Sequence, residues 1–282
     1  MFNANAVYSL IFINFALMKF WRNFVLIVLI LTGVSCSEYD KLLREGTPQA
    51  RLEAANDYYS KGNYFKALQL YDQLIVELRG LPQFEEAYYK YCWSNYQQEQ
   101  YLAAAYYFKN LAKTLPNSKY AEESLYMSAY CQYLESADTP LDQSSTSDAL
   151  TELQLFVNKY PKSEKVQQCN ELMDELRFKL ETKDYNTAML YYKIEEYKAA
   201  VVAFSNLLKE YPATKYKEQA LFYILKSEYY YAAGSIDSKK KERFEHATKA
   251  YTTLMLMFPT SSYQKDAEII NEKIKTQISK LN

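Results

Sequence analysis

LLKEYPATKYKEQA, residues 207–220, ends one apolar segment at Tyr211 and Pro212 and begins the next at Thr214. Proline has no N–H with which to continue a helix, and it forces the residue before it into an extended conformation. The stretch therefore predicts the end of one helix and the start of another. The same arrangement recurs in LAKTLPNSKYAEES (111–124), VNKYPKSEKVQQC (157–169) and MLMFPTSSYQKDA (255–267).

Each copy of this boundary carries the same three features. Two residues after the proline stands a hydroxyl side chain that can accept hydrogen bonds from the first N–H groups of the next helix: Ser118, Ser163, Thr214 and Ser261. An acidic residue follows in or near the first turn, where the helix dipole favours it: Glu122, Glu164, Glu218 and Asp266. Eight residues after the proline is a small side chain, which predicts a close approach of two helices: Ser124, Cys169, Ala220 and Ala267.

The helix before each proline also repeats. Its core face is predicted to begin with an alanine twelve residues before the proline: Ala104, Ala149, Ala200 and Ala247. The larger apolar positions that follow are Phe108, Leu153, Phe204 and Tyr251, and then Leu111, Phe156, Leu207 and Leu254. An earlier copy, NDYYSKGNYFKALQLYDQLI (56–75), fits the same frame, with Arg79 in place of its proline.

These units resemble tetratricopeptide repeats, in which two helices per repeat carry small and aromatic residues at fixed positions. The first repeat supplies Ala55, Tyr58, Gly62, Tyr64, Ala67 and Tyr71, and the fourth supplies Ala188, Tyr191, Tyr197, Ala200, Phe204 and Pro212. The resemblance implies an all-α fold, a right-handed superhelical solenoid of about five helical hairpins. A final helix over about 262–280 is predicted to cap the stack with a lysine-rich polar face.

The spacing of the units exceeds the roughly 34 residues of an uninterrupted array, so longer elements must be accommodated. The polar stretches 136–148 and 233–243 predict extended turns inside repeats three and five. The lysine run Lys239–Lys241 is predicted to lie in such a solvated loop. In repeat four we expect one helix over about 164–182 and a second over about 184–193.

Composition excludes several classes. The chain has 282 residues, 49% of them hydrophobic, which is enough to bury a sizeable core. Its 5 glycines and 7 prolines leave few residues for hairpin turns, so a β-rich fold is not expected. The formal net charge of −1 offers no positive field for nucleic acid.

The N-terminal region has the layout of a secretory signal. Lys19 and Arg22 form a charged segment, Phe24–Leu31 an apolar one, and Gly33–Ser35 a small-residue segment directly before Cys36. A small-residue segment that ends in cysteine resembles the lipobox of bacterial lipoproteins, although Gly33 stands where leucine is preferred. The resemblance implies cleavage before Cys36 and a covalent lipid on that cysteine.

Residues 1–17 are apolar and uncharged, which leaves two interpretations. Either they belong to a membrane-spanning anchor, or translation starts at Met18. The polar break after Met18 interrupts a continuous apolar span and favours the second interpretation. We therefore expect a signal region at 1–35, a lipid-anchored linker at 36–47 and a repeat solenoid at 48–282.

Catalytic and metal-binding chemistry finds little support in the sequence. Cys92, Cys131 and Cys169 are widely spaced and lie in apolar helical patterns, which favours buried thiols over disulfides. His246 is the sole histidine, beside charged neighbours and without a nucleophile motif in the chain. We expect no catalytic residues, no metal site and no cofactor.

The repeat register also predicts a ligand-binding groove. In tetratricopeptide repeats, certain positions of the first helix of each hairpin line a groove, and the resemblance places five side chains there: Asn56, Tyr59, Tyr89, Trp93 and Tyr96. An aromatic groove with amide and acidic partners suits an extended, partly aromatic peptide. The alternative is that these tyrosine-rich helices simply form the core between repeats.

Lipobox, repeats and the Tyr/Phe-Pro-x-Ser/Thr boundary together resemble the BamD family of outer-membrane lipoproteins of the β-barrel assembly machinery. The resemblance implies a scaffold, lipid-anchored on the periplasmic face of the outer membrane. Its implied partners are the periplasmic domains of a BamA-like β-barrel protein, further assembly lipoproteins and unfolded outer-membrane protein precursors.

Two other classes of repeat lipoprotein are the alternatives. A coordinator of cell-envelope or Tol-Pal type processes has similar repeats but typically carries a coiled-coil segment, and this chain has no sustained heptads. A glycan-uptake lipoprotein is typically much longer because its binding region is inserted between the repeats. An enzyme is the least supported class.

Overall fold

The computed structural model describes residues 38–281, and within this range it contains helices and their connections without strands. The first helix, α1, occupies 38–45. The others are α2 (Pro48–Ser60), α3 (Tyr64–Glu77), α4 (Phe84–Gln97), α5 (Tyr101–Thr114), α6 (Ala121–Leu134), α7 (Ser144–Lys159), α8 (Val166–Lys193), α9 (Tyr197–Glu210), α10 (Lys217–Ala233), α11 (Asp237–Met257) and α12 (Gln264–Leu281).

Four pairs of successive helices pack together as predicted for the repeats: α2 with α3, α4 with α5, α8 with α9, and α10 with α11. The predicted final helix, α12, packs on α11. Helices α6 and α7 stand at the chain positions predicted for the third repeat. The all-helical repeat fold is therefore confirmed. The chain divides between Cys131 and Gln132 into two compact units. We call them the N-terminal unit and the C-terminal unit and describe each by itself.

The repeated proline boundary is a tight turn. In all four copies the N–H of the serine or threonine donates to the carbonyl of the residue before proline, at 3.0–3.1 Å. Proline thus occupies the second position of a β-turn, which its fixed φ favours. The hydroxyl oxygen of Ser118, Ser163, Thr214 and Ser261 in turn accepts from the N–H two residues later. Each helix begins three residues after that hydroxyl, so the predicted capping group orders the turn that leads into the helix.

The predicted core positions are buried with one exception. The small residues after the prolines, Ser124, Cys169, Ala220 and Ala267, have no exposed surface. The apolar positions of the preceding helices are buried as well, but Tyr251 is only half-buried. The repeat spacing therefore identifies where neighbouring helices meet.

The prediction of two helices in repeat four is wrong, because α8 continues unbroken for 28 residues. The segment contains neither glycine nor proline. Lys183 and Asp184, where a break was expected, are polar, but polarity alone does not end a helix whose backbone hydrogen bonds continue. Helix α8 begins at Val166 and ends at Lys193, close to the two outer boundaries that were expected.

The predicted extended turns are shorter than expected. The connection in repeat three spans 135–143, and that in repeat five spans 234–236. The lysine run Lys239–Lys241 therefore lies in the first turns of α11 and not in a loop. Ion pairs three residues apart support this helical start, with Lys240 Nζ at 2.9 Å from Asp237 and Lys239 Nζ at 3.1 Å from Glu242.

Helix α1 packs onto the first repeat through one tyrosine. Tyr39 is 8% exposed, and its hydroxyl bonds the carbonyl of Lys66 and the Gln69 Oε1, each at 2.9 Å. Its ring meets Tyr58 edge-on at 5.6 Å. Residues 38–45 of the segment expected to be a lipid-anchored linker thus form a helix that packs on the first repeat through Tyr39.

Three of the hairpin turns close in the same way. Gly62, Glu99 and Glu195 follow the first helices of repeats one, two and four and all have positive φ, from 57° to 73°. The N–H of the next residue donates five residues back, at 2.8–3.0 Å. This is a Schellman cap, in which a left-handed residue ends the helix. Only glycine adopts that conformation without steric cost.

Gly62→Ala is expected to reduce the free energy of unfolding by about 1–2 kcal/mol, because an alanine in the left-handed region brings Cβ against the following carbonyl. Gly234→Ala is the matched control. Gly234 also ends a helix, but its φ is −79°, and an added Cβ would lie 3.5 Å from the Tyr230 carbonyl oxygen. Urea unfolding followed by circular dichroism measures both. Equal losses in the two variants would contradict the assignment of strain to Gly62.

Candidate functional site

The five predicted groove residues lie in the N-terminal unit, and we call them the aromatic row. Asn56 and Tyr59 are on α2, whereas Tyr89, Trp93 and Tyr96 are on α4. All five side chains are half-buried. This degree of burial fits both interpretations of the sequence, since each side chain packs between helices and keeps part of its surface exposed.

Lys90 ties the two helices of the row together. Its Nζ donates to Asn56 Oδ1 at 2.8 Å, pairs with Glu86 at 2.6 Å and lies 5.8 Å from the centre of the Tyr59 ring. The hydrogen bond from Lys90 holds the pKa of the Glu86 carboxyl below its usual range. Asn56 Oδ1 also accepts from the Tyr71 hydroxyl at 2.8 Å, so this amide oxygen is fully used inside the repeat.

Tyr89 connects α4 to the next repeat. Its ring stacks on Tyr120 at 4.2 Å, and its hydroxyl donates to Glu123 Oε2 at 2.6 Å. Burial raises the pKa of the Tyr89 hydroxyl above its ordinary value, and the hydrogen bond to Glu123 raises it further. Burial likewise raises the pKa of Tyr59 to about 12. Both phenols are therefore neutral donors at physiological pH.

Trp93 is the centre of the row. Its ring makes edge contacts with Tyr96 at 5.3 Å, Phe108 at 5.8 Å and Tyr89 at 6.2 Å. The indole Nε1 is buried. Its interaction with the Tyr89 hydroxyl lowers the pKa of that phenol, in opposition to the effects of burial and of Glu123.

Tyr96 extends the row toward α6. Its ring lies 5.7 Å from Tyr101 and 6.5 Å from Tyr130, both tilted. Burial raises the pKa of Tyr96 above its ordinary value. The structure thus adds side chains that the repeat register did not predict: Glu86, Lys90, Tyr120, Glu123 and Tyr130. The four-residue spacing of Glu86 and Lys90 signals their mutual pairing but not their contact with α2.

The other predicted features fall in different places. Cys36 lies outside the described residues. Cys92, Cys131 and Cys169 are buried thiols, as expected. His246 is an exposed side chain on α11 in the C-terminal unit. Among residues 38–281, no group of histidine, cysteine and acidic side chains could hold a metal ion, and no helix has the length and hydropathy to cross a bilayer.

The described helices define a helical-repeat protein, a class that presents side chains to partners along successive hairpins. A protein-family model described as "YfiO: Outer membrane lipoprotein" matches residues 44–244, and the chain belongs to this family. The family resemblance expected from the sequence is therefore confirmed.

Similar proteins include the outer membrane protein assembly factor BamD of Caulobacter vibrioides, with 24% identity over 135 residues. That match spans 48% of this chain and 44% of the Caulobacter protein, less than half of either. Among solved structures, a thermophilic TPR protein of Thermus thermophilus has 16% identity and a TM-score of 0.32, covering 82% of this chain and 100% of its own. A kinesin light chain of Podospora anserina with TPR-like repeats has 11% identity and a TM-score of 0.31, covering 73% and 97%.

Proposed function

We propose that this protein is a lipid-anchored scaffold of outer-membrane β-barrel assembly. In this role it binds the periplasmic domains of a BamA-like β-barrel protein and unfolded outer-membrane protein precursors, and it catalyses no reaction. The observation that carries the proposal is membership of the outer-membrane lipoprotein family over residues 44–244. The name of the Caulobacter relative and the half-exposed aromatic row support it.

In the proposed mechanism, the aromatic row holds extended segments of a precursor. Tyrosine and tryptophan offer large apolar faces together with polar tips, which suits segments that alternate apolar and polar residues.

The lipid at Cys36 would hold the first repeat near the membrane. Tyr39 is three positions after Cys36, and an extended chain spans at most about 3.6 Å per residue. Tyr39 is buried against the first repeat. A lipid on Cys36 would therefore sit no more than about 11 Å along the chain from a fixed point of the fold.

Partner capture tests the proposed function. The chain would be tagged at its C-terminus, purified from native membranes in mild detergent and examined for partners by mass spectrometry. Recovery of a large β-barrel protein with periplasmic repeat domains, in near-equal amount, is the expected result. Recovery of peptidoglycan-associated or glycan-transport proteins in its place would overturn the proposal and leave the family membership intact.

Tyr96→Ala is expected to weaken peptide binding at the aromatic row about tenfold or more, which is a loss of about 1.4 kcal/mol of binding free energy. The reason is that the substitution removes one of the aromatic rings that would contact the peptide. The probe is a fluorescently labelled acetyl-Ser-Tyr-Thr-Phe-Ser-Tyr-Gln-Phe amide, and the measurement is its fluorescence anisotropy with the full chain. Tyr106→Ala is the matched control, since Tyr106 is 65% exposed on α5 and outside the row. Equal affinity for both variants would show that the row does not bind the peptide.

A further inference from the structure

A second cleft lies in the C-terminal unit, where α9, α10 and α11 meet, and it has a volume of about 460 Å³. This is within the range of about 300–1,000 Å³ that is typical of ligand pockets. Five of the ten side chains that line it are apolar: Val201, Leu208, Leu221, Ile224 and Ala250. Its polar members are Ser205, Glu228, His246, Lys249 and Thr253.

Glu228 is the unusual member of this wall. It is half-buried, and no hydrogen bond or ion pair to its carboxylate exists among the described residues. Burial raises the pKa of the Glu228 carboxyl, while the more distant charges of His246 and Arg243 act in the opposite direction. A carboxylate that loses water without gaining a donor is destabilised, and a cation brought next to it relieves that cost.

The remaining polar groups of the cleft do not supply that donor. The hydroxyls of Ser205 and Thr253 donate to carbonyls of their own helices, at 2.7 and 2.9 Å. Arg243 is engaged elsewhere, with its guanidinium 4.0 Å from the centre of the Tyr231 ring and bonded to Ser235. Lys249 is exposed to solvent, so water screens its charge.

We propose that this cleft binds an arginine or lysine side chain carried by a peptide segment of a partner protein. The apolar wall would cover the aliphatic stem, and Glu228 would accept hydrogen bonds from the charged head. The inference concerns a different unit from the aromatic row and does not rest on the proposed function. Lys249, the other charged group on the wall, would oppose the ligand weakly.

The sole histidine of the chain provides a reporter. His246 lines the cleft, so the Cε1–H signal of ¹³C-histidine-labelled protein reports on this site without assignment of other residues. The full chain, carrying a tag without histidine, would be titrated with acetyl-Leu-Arg-Leu amide. The control peptide replaces arginine with citrulline, which keeps the shape and removes the charge.

Glu228→Gln is expected to weaken binding of the arginine peptide at least tenfold, while the citrulline peptide binds the wild-type protein at least tenfold more weakly. Lys249→Gln is expected to leave binding unchanged or tighten it, since it removes a like charge. Glu242→Gln is the matched control, because Glu242 is exposed on α11 and does not line the cleft. Its affinity should equal that of the wild type.

Three results would overturn the proposal. These are no saturable shift of the His246 signal with the arginine peptide, equal affinity for the arginine and citrulline peptides, or an equal loss in Glu228→Gln and Glu242→Gln. We do not expect the Glu228→Gln substitution to unfold the protein. Glutamine has the same shape as glutamate, and Glu228 makes no hydrogen bond among the described residues, so the unfolding temperature of Glu228→Gln should not fall.

Discussion

Phe204→Ala should lower the free energy of unfolding of the C-terminal unit by about 3–5 kcal/mol, the usual cost of removing a fully buried phenylalanine. Phe204 is on α9 and has no exposed surface. Its ring meets Tyr185 of α8 at 5.9 Å and stacks on Tyr223 of α10 at 5.8 Å. The substitution therefore opens a cavity where three consecutive helices pack, and neighbouring repeats stabilise each other through such contacts.

Val202→Ala provides the comparison for Phe204. Val202 lies two residues earlier on the same helix and is 53% exposed, so its loss should change stability by less than about 0.5 kcal/mol. Urea unfolding followed at 222 nm measures both variants, and hydrogen exchange of α8, α9 and α10 locates the effect. A loss below about 1 kcal/mol for Phe204→Ala would show that the helices around it repack and that the site is not a rigid core position.

Cys36→Ser should abolish incorporation of labelled palmitate and remove the protein from the outer-membrane fraction. In the proposed modification the lipid is attached through the sulfur of Cys36, and a serine hydroxyl is far less reactive than a thiolate. Each buried CH₂ of a lipid chain contributes about 0.8 kcal/mol to membrane binding, so losing every chain removes the anchor. Palmitate labelling and density-gradient fractionation of the membranes measure the two effects.

Cys92→Ala serves as the reference for this experiment. Cys92 has no exposed surface, and burial raises the pKa of its thiol well above the ordinary value. It should therefore neither carry lipid nor affect labelling. Palmitate incorporation that persists in Cys36→Ser and disappears in Cys92→Ala would contradict the assignment of Cys36 as the lipidated residue.

Much of the fold follows from local sequence signals. The four proline boundaries, the small residues eight positions later and the turn glycine Gly62 all lie where the structure uses them. These features act over a few residues, through fixed φ, a missing N–H donor or a missing Cβ. The order of the helices along the chain, including the final helix, could therefore be predicted without any tertiary information.

Element lengths were less predictable. Two helices were expected where α8 is continuous, and the lysine run Lys239–Lys241 was expected to lie in a loop before α11. Polar residues are compatible with both helix and loop, and the choice depends on whether the opposite face of the segment is covered. In α8, buried positions from Cys169 to Ala188 run on both sides of the expected break, so packing keeps the helix continuous.

The sequence by itself determined the repeat order, the helix boundaries at proline, the buried small residues and the membership of a lipoprotein family. Only the tertiary structure decided which side chains meet across helices. Lys90 reaches Asn56, Tyr89 reaches Glu123, and Glu228 is left without a donor in a cleft of three helices. The reason is that conformational preferences act between neighbours in the chain, whereas these contacts join residues more than thirty positions apart or depend on how three helices pack.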